Sequence, residues 1–183
     1  VEIIWLDSEE VGENNVAEKL GGADGVLIPG GFGSRGIGGK VAAVKYAREN
    51  NVPFLGICLG MQVAVIEYAR NVLGYQTANS REFDGNNVYS VIDLMPDQAD
   101  LEKKGGTMRL GAYPCRVAPD SIMQRAYGAE EIAERHRHRY EFNNDFRRQM
   151  QEAGMRLTGL SPDGRLVEAV ELPEKDFFIG VQF

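Results

Sequence analysis

At 183 residues and 43% hydrophobic content, the chain can bury one core of ordinary size without disulfide or metal staples. A formal charge of -7 argues against a surface built to hold nucleic acid, and no apolar run approaches the roughly 18 to 20 residues of a membrane span. The two cysteines, Cys58 and Cys115, form no CxxC and sit far apart, which fits a reducing compartment, so one cytoplasmic domain with no nucleic-acid or membrane partner is expected over residues 1–183.

In chain order, apolar runs at residues 2–6, 25–28 and 52–57 alternate with segments of helical spacing at 11–20, 40–50 and 59–72. That alternation predicts βαβ units around a parallel sheet. The opening run VEIIWLD has the composition of a buried strand, and the closing FFIGVQF has it too, so both ends read as cut inside structure. From residue 79 onward glycine-rich turns and shorter strands take over, at 89–94 and 107–117, with helices expected at 122–127, 129–135 and 144–153. Gly154 is placed to cap the last of these. Residues 155–160 and 166–172 flank Ser-Pro-Asp-Gly, whose turn chemistry predicts a hairpin. The expected fold is therefore α/β: a three-layer open, mostly parallel sheet flanked by helices, with an added antiparallel strand region.

The strand at 52–57 runs directly into a helix, so Gly56-Ile57-Cys58-Leu59-Gly60 has the layout of a nucleophile elbow with sulfur in place of oxygen. Glycines two residues to either side remove Cβ atoms where strand and helix pack closely, and a thiol at a helix N-terminus is biased toward thiolate. The competing reading of Cys58 is a small buried hydrophobe, the reading preferred for Cys115, which lies inside a predicted strand without such glycines. Pro29-Gly30-Gly31-Phe32-Gly33 follows the second strand and so shares the sheet rim with Cys58. Its free N–H groups could face a ligand oxygen, with the Leu59 N–H completing an oxyanion hole. A phosphate loop competes, but neither GxGxxG nor a Walker pattern is present.

These two runs, together with Val181-Gln182-Phe183, resemble the class I glutamine amidotransferases. Ala-Asn-Ser-Arg-Glu-Phe at 78–83, Gly-Gly-Thr-Met-Arg-Leu-Gly at 105–111 and Glu-Arg-His-Arg-His-Arg-Tyr-Glu at 134–141 narrow the resemblance to the C-terminal glutaminase domain of the CTP synthase family. The resemblance implies that Cys58 attacks the side-chain amide of L-glutamine and that the backbone at Gly31 and Leu59 stabilises the oxyanion. It places further glutamine contacts at Gly60, Met61, Gln62, Glu82 and Arg139. It implies no cofactor in this domain, and ATP with Mg2+ in a synthetase domain carried in cis, which uses the ammonia to turn UTP into CTP. It implies a homotetramer for the full-length enzyme. In the family, Val-Gln-Phe continues into a His-Pro-Glu whose His and Glu complete the triad, so residues 1–183 taken alone are expected to be inactive.

His136 and His138 sit two apart among arginines, which gives at most two ligands and no metal site. Glu131, Glu134 and Glu141 flank the basic run and can pair with it. Two other functions compete. A γ-glutamyl hydrolase needs the same triad without an ammonia partner, and the runs at 105–111 and 134–141 argue against it. A non-catalytic module keeping the fold for oligomer contacts or sensing would not activate the thiol, so labelling of Cys58 by a glutamine-mimicking electrophile separates it from the enzyme.

Overall fold

In the computed structural model, which describes residues 1–94 and 108–183, the first helix is α1 (Val16–Leu20), followed by strand β1 (Val26–Ile28) and helix α2 (Ile37–Glu49). Strand β2 (Phe54–Ile57) then leads into α3 (Leu59–Asn71) with only Cys58 between them. Short strands β3 (Asn79–Ser80) and β4 (Ser90–Leu94) precede β5 (Arg109–Val117), α4 (Ile122–Tyr127), β6 (Glu131–His138) and β7 (Tyr140–Phe142). A 3-10 turn at Asn144–Phe146 enters α5 (Arg147–Glu152), and β8 (Arg156–Leu160), β9 (Val167–Glu171) and β10 (Phe178–Val181) complete the described elements.

The α/β architecture with an antiparallel extension is as expected, but the large sheet is mixed rather than mostly parallel, because the strands from β10 outward are joined by antiparallel pairing. Among the described residues, one sheet has seven strands in the order β1-β2-β10-β9-β8-β5-β6, and a smaller one has the order β3-β4-β7. Parallel pairing in the large sheet is confined to β1, β2 and β10, while every pair from β10 outward to β6 is antiparallel. The last strand in sequence therefore lies beside β2, with Gly180 opposite Gly56 and Val181 opposite Ile57. That insertion carries the Val-Gln-Phe run to the cysteine.

Helix α3 is buried from Leu59 through Ala69, as a helix apolar nearly all round must be. It packs on β2 and β10 on one side and on β3, β4 and β7 on the other, so it lies between the two sheets. Its one buried acid, Glu67, is held by a bidentate pair from Arg48 of α2, with Nε and Nη2 at 2.9 and 2.8 Å from its two oxygens. The core on this face includes stacked Phe54 and Phe178, with ring centroids 4.6 Å apart, and Met61, Ile66, Ile92 and Phe142. The opposite face of the large sheet carries Cys115, Val117, Ala169, Ile179 and Val181 under Ile122 and Met123 of α4. The start of α4 is fixed twice: Ser121 Oγ accepts from Gln124 N at 2.9 Å, and the Glu171 carboxylate accepts from Ile122 N and Met123 N, both at 2.9 Å.

Three further expectations from sequence are corrected. Residues 2–6 are not a buried strand: they lie outside both sheets, with Ile3 68% and Trp5 86% exposed. Their composition suits a strand, but a strand exists only with a ladder partner, and none pairs with them among the described residues. The helix expected at 11–20 shrinks to α1, because Asn15 Oδ1 accepts from Gly12 N and the Gly12 carbonyl accepts from Asn15 N and Val16 N, a turn built from turn-forming residues. Residues 129–135 do not form a helix but enter β6, which pairs with β5 from Arg109 opposite His138 to Arg116 opposite Glu131. Here tertiary pairing overrides the helical propensity of Ala, Glu and Arg. The hairpin of β8 and β9 forms as expected, with Gly164 at φ 73° donating its N–H to Ser161 O.

Candidate active site

Cys58 is one of the few non-glycine residues with positive φ, at φ 52° and ψ -101°. A residue is held in such a conformation only where its surroundings over-determine it. Here the Cys58 N–H donates to Val181 O at 2.7 Å, and its carbonyl accepts the Gln62 N–H at 3.1 Å as α3 begins. The flanking glycines are sterically required. A Cβ on Gly56 would lie 2.6 Å from the carbonyl carbon of Gly60, and one on Gly60 would collide with the carbonyl oxygen of Ile28. The bend therefore turns the thiol out of the sheet, and Cys58 is half-buried while Cys115 is fully buried.

The glycine loop lies against this bend. A Cβ on Gly30 would be 3.5 Å from Cys58 Cβ, and one on Gly31 would be 3.1 Å from Leu59 Cδ2. Glu82 reaches the same loop from beyond β3, its Oε1 accepting the Gly33 N–H at 2.9 Å. Gly31, Leu59 and Glu82, expected at the site from sequence, are thus gathered around the cysteine or the loop beside it. Gly60 and Met61 lie in the first turn of α3, and the Met61 side chain is fully buried under Gly180, which leaves the main chain as what it can present. Gln62 is also buried, its Nε2 donating to Tyr140 O at 3.1 Å and to Gln182 Oε1 at 3.3 Å. Arg139 is exposed at the corner between β6 and β7, next in sequence to the Tyr140 carbonyl that Gln62 holds.

Burial is the largest influence on the Cys58 thiol and pushes its pKa above the ordinary value. The Leu59 N–H and the Gln182 side-chain amide oppose that rise, while nearby Glu141 and Glu82 charge adds to it. The thiolate bias expected from the helix N-terminus is therefore outweighed at rest, and the site depends on donors around the sulfur. Cys115 is raised further, to about 12, chiefly by burial, which makes it inert.

A buried polar cluster, not foreseen as a unit from sequence, lies between β5, β6, β7 and β9. Arg109 Nη2 contacts Glu168 Oε1 at 2.7 Å and its Nη1 lies 3.5 Å from Glu141 Oε1, with all three side chains almost fully buried. His136 Nδ1 and His138 Nε2 share a hydrogen bond of 2.8 Å, and His138 Nδ1 lies 3.2 Å from Tyr140 O. The two histidines thus serve each other and the backbone. Glu134 accepts from Tyr127 OH at 2.8 Å, while Glu141 faces the basic run, its Oε1 lying 3.5 Å from His138 Nδ1. The signal was present in sequence, since Arg109 lies in the run at 105–111 and Glu141 in the run at 134–141, but their meeting requires the β5–β6 hairpin and the turn into β7. Among the described residues no group of three or more His, Cys, Asp or Glu side chains is arranged to hold a metal ion.

The cluster sets a pH dependence of stability. Burial, with the Arg109 charge, lowers His136 from 6.5 to about 4, and burial, with His136 and Arg109, lowers His138 to about 3. Burial also raises Glu141 from 4.5 to about 8, against the pull of Arg109. The histidine contributions are complete above pH 6.5 and are lost as pH falls through the folded values. The Glu141 contribution is complete below pH 4.5 and is lost as pH rises through about 8. Two histidines outweigh one carboxyl between 4.5 and 6.5, and only the carboxyl acts above, so these groups together place a stability maximum near pH 6.5. Urea midpoints are expected to fall on the alkaline side of that maximum, and Glu141→Gln is expected to flatten the fall; an equal fall in the variant would contradict the assignment.

The sequence model of the family described as "Glutamine amidotransferase class-I" matches residues 1–183. The chain is 58% identical to a CTP synthase of Staphylococcus aureus over all 183 residues, which are 34% of that relative, so it spans about a third of the length of the curated relatives it matches. Among solved structures, the glutaminase domain of Trypanosoma brucei CTP synthase with bound acivicin is 41% identical, with a TM-score of 0.94, covering 100% of this chain and 72% of that one. A glutamine amidotransferase from Thermotoga maritima shares the fold at 16% identity and a TM-score of 0.54, over 86% of this chain and 54% of that one. With the strained cysteine, its paired glycines and the facing glycine loop in place, the chain belongs to the class I glutamine amidotransferase family.

Proposed function

We propose that this chain is the glutaminase domain of a CTP synthase and that Cys58 is its nucleophile. The observation that carries the reading is the positive-φ cysteine standing against the Gly30-Gly31 loop at the head of α3. In the proposed reaction Sγ forms a bond to the side-chain carbonyl carbon of L-glutamine, and the oxygen takes negative charge toward the N–H groups of Gly31 and Leu59. The C–N bond then breaks, the proton taken from the thiol goes to the departing nitrogen, and ammonia leaves. Water next cleaves the thioester, releasing glutamate and restoring the thiol. His136 and His138 are committed to each other in the buried cluster, so the base is assigned instead to the histidine that the family carries after Val-Gln-Phe, oriented by the following glutamate.

Glu82 and Arg139 are assigned to the α-ammonium and α-carboxylate of glutamine, with Gly60, Met61 and Gln62 shaping the floor of the cleft. The domain itself needs no cofactor in this reading. ATP and Mg2+ act in a synthetase domain joined in cis, where ammonia aminates UTP in a cytoplasmic homotetramer. Among the described residues no helix is long and apolar enough to cross a membrane. In the intact protein, Glu82→Ala removes both the proposed ammonium partner and the acceptor for the Gly33 N–H. Because a hydrogen bond to a charged group contributes about 1.5–3 kcal/mol, KM for glutamine is expected to rise roughly 10- to 100-fold. CTP formation from added ammonium is expected to be unchanged. Steady-state assays with the two nitrogen donors check this, and an unaltered KM for glutamine would remove Glu82 from the site.

A further inference from the structure

Gln182 is fully buried, one residue beyond β10, and no step of the proposed reaction uses it. Its backbone is fixed on both sides: Val181 O accepts the Cys58 N–H at 2.7 Å, and the Gln182 N–H donates to Glu168 O at 2.8 Å. Its side-chain amide lies between two site residues. Oε1 accepts from Gln62 Nε2 at 3.3 Å, and Nε2 donates to Cys58 Sγ at 3.7 Å.

The direction of this amide is determined by its neighbours. Gln62 Nε2 also donates to Tyr140 O at 3.1 Å, and a carbonyl can only accept, so the end of Gln62 facing Gln182 is its NH2 group. Turning the Gln182 amide over would set two NH2 groups against each other and leave a carbonyl oxygen facing the sulfur. The arrangement seen instead directs an N–H at Sγ.

We propose that Gln182 is a positioning residue for Cys58, oriented by Gln62 and Tyr140, that donates a hydrogen bond to the thiolate and holds the sulfur toward the glycine loop. A donor to the charged form favours that form, and it opposes the burial that otherwise keeps this thiol protonated. The same donor would stabilise the sulfur anion when it leaves the thioester in hydrolysis. The inference rests on the reading of Cys58 as nucleophile, but its test does not require glutamine chemistry.

The test is the pH dependence of Cys58 alkylation by iodoacetamide in the intact protein without glutamine, followed by peptide mass mapping to separate Cys58 from Cys115. Gln182→Leu is expected to move the alkylation midpoint up by about one pH unit, slowing labelling near neutral pH about tenfold, and Gln182→Glu is expected to move it further by setting a carboxylate beside the sulfur. A packing role alone would lower the melting temperature and leave the midpoint of the folded protein in place, and that result in either variant overturns the proposal. Should the leucine variant fail to fold, Gln182→Met, which likewise carries neither donor nor charge, decides in the same way. A shifted midpoint in a protein that a glutamine-mimicking electrophile does not label would retain this inference and sink the glutaminase reading.

Discussion

On the proposed function, Cys58→Ser in the intact protein is expected to lower glutamine-dependent CTP formation by about 10⁴-fold or more, the scale seen when a covalent nucleophile is removed from a preorganised site. Serine occupies nearly the same volume, and the contacts that impose φ 52° on residue 58 are backbone contacts to Val181 and Gln62, so the bend is retained. What is lost is the sulfur, a far stronger nucleophile and a far more acidic group than a serine hydroxyl. CTP formation from added ammonium is expected to persist, because that route bypasses the thioester. The pair of assays checks both halves, and equal loss in the two would indicate unfolding or domain disruption.

The largest expected effect on stability is at Arg109. Its guanidinium is buried between Glu168 and Glu141 and packs 4.4 Å from the centroid of the Tyr113 ring. Removing one partner of a buried pair leaves an uncompensated charge, which costs about 3–5 kcal/mol. Arg109→Met is therefore expected to destabilise the protein by that amount in urea unfolding at neutral pH. Adding Glu168→Gln to Arg109→Met is expected to restore part of the loss, since it removes the orphaned carboxylate. Glu141 is the weaker partner at 3.5 Å and is held protonated by its burial, so Glu141→Gln is expected to cost much less than Arg109→Met at that pH. Equal losses from the two single variants would contradict this division of charge.

The elbow was legible in sequence because its signals are local: a strand ending at Ile57, glycines at 56 and 60, and a helix beginning at Leu59. The glycine loop was legible for the same reason, as it directly follows β1. The run at 105–111 lies partly outside the described residues, and only Met108 to Gly111 can be placed. The role of Gln182 was not legible, although Val-Gln-Phe stood out. Nothing local says that the last strand in sequence slots beside β2, and only that pairing directs the Gln182 amide at the sulfur. The Arg109 cluster was hidden likewise, because its members come from β5, β6, β7 and β9. Residues 129–135 show the converse failure. Their alternation of exposed and half-buried positions becomes visible only once β5 supplies a partner, and the helix-favouring composition masks it.

On the proposed function, the half-buried thiol of Cys58 is a nucleophile that attacks glutamine. Exposure of the intact protein to a glutamine-mimicking electrophile, followed by peptide mass mapping, measures that most directly. Stoichiometric modification of Cys58, slowed by added L-glutamine and absent at Cys115, is the expected result. An unmodified Cys58, or modification that glutamine does not slow, would contradict the claim.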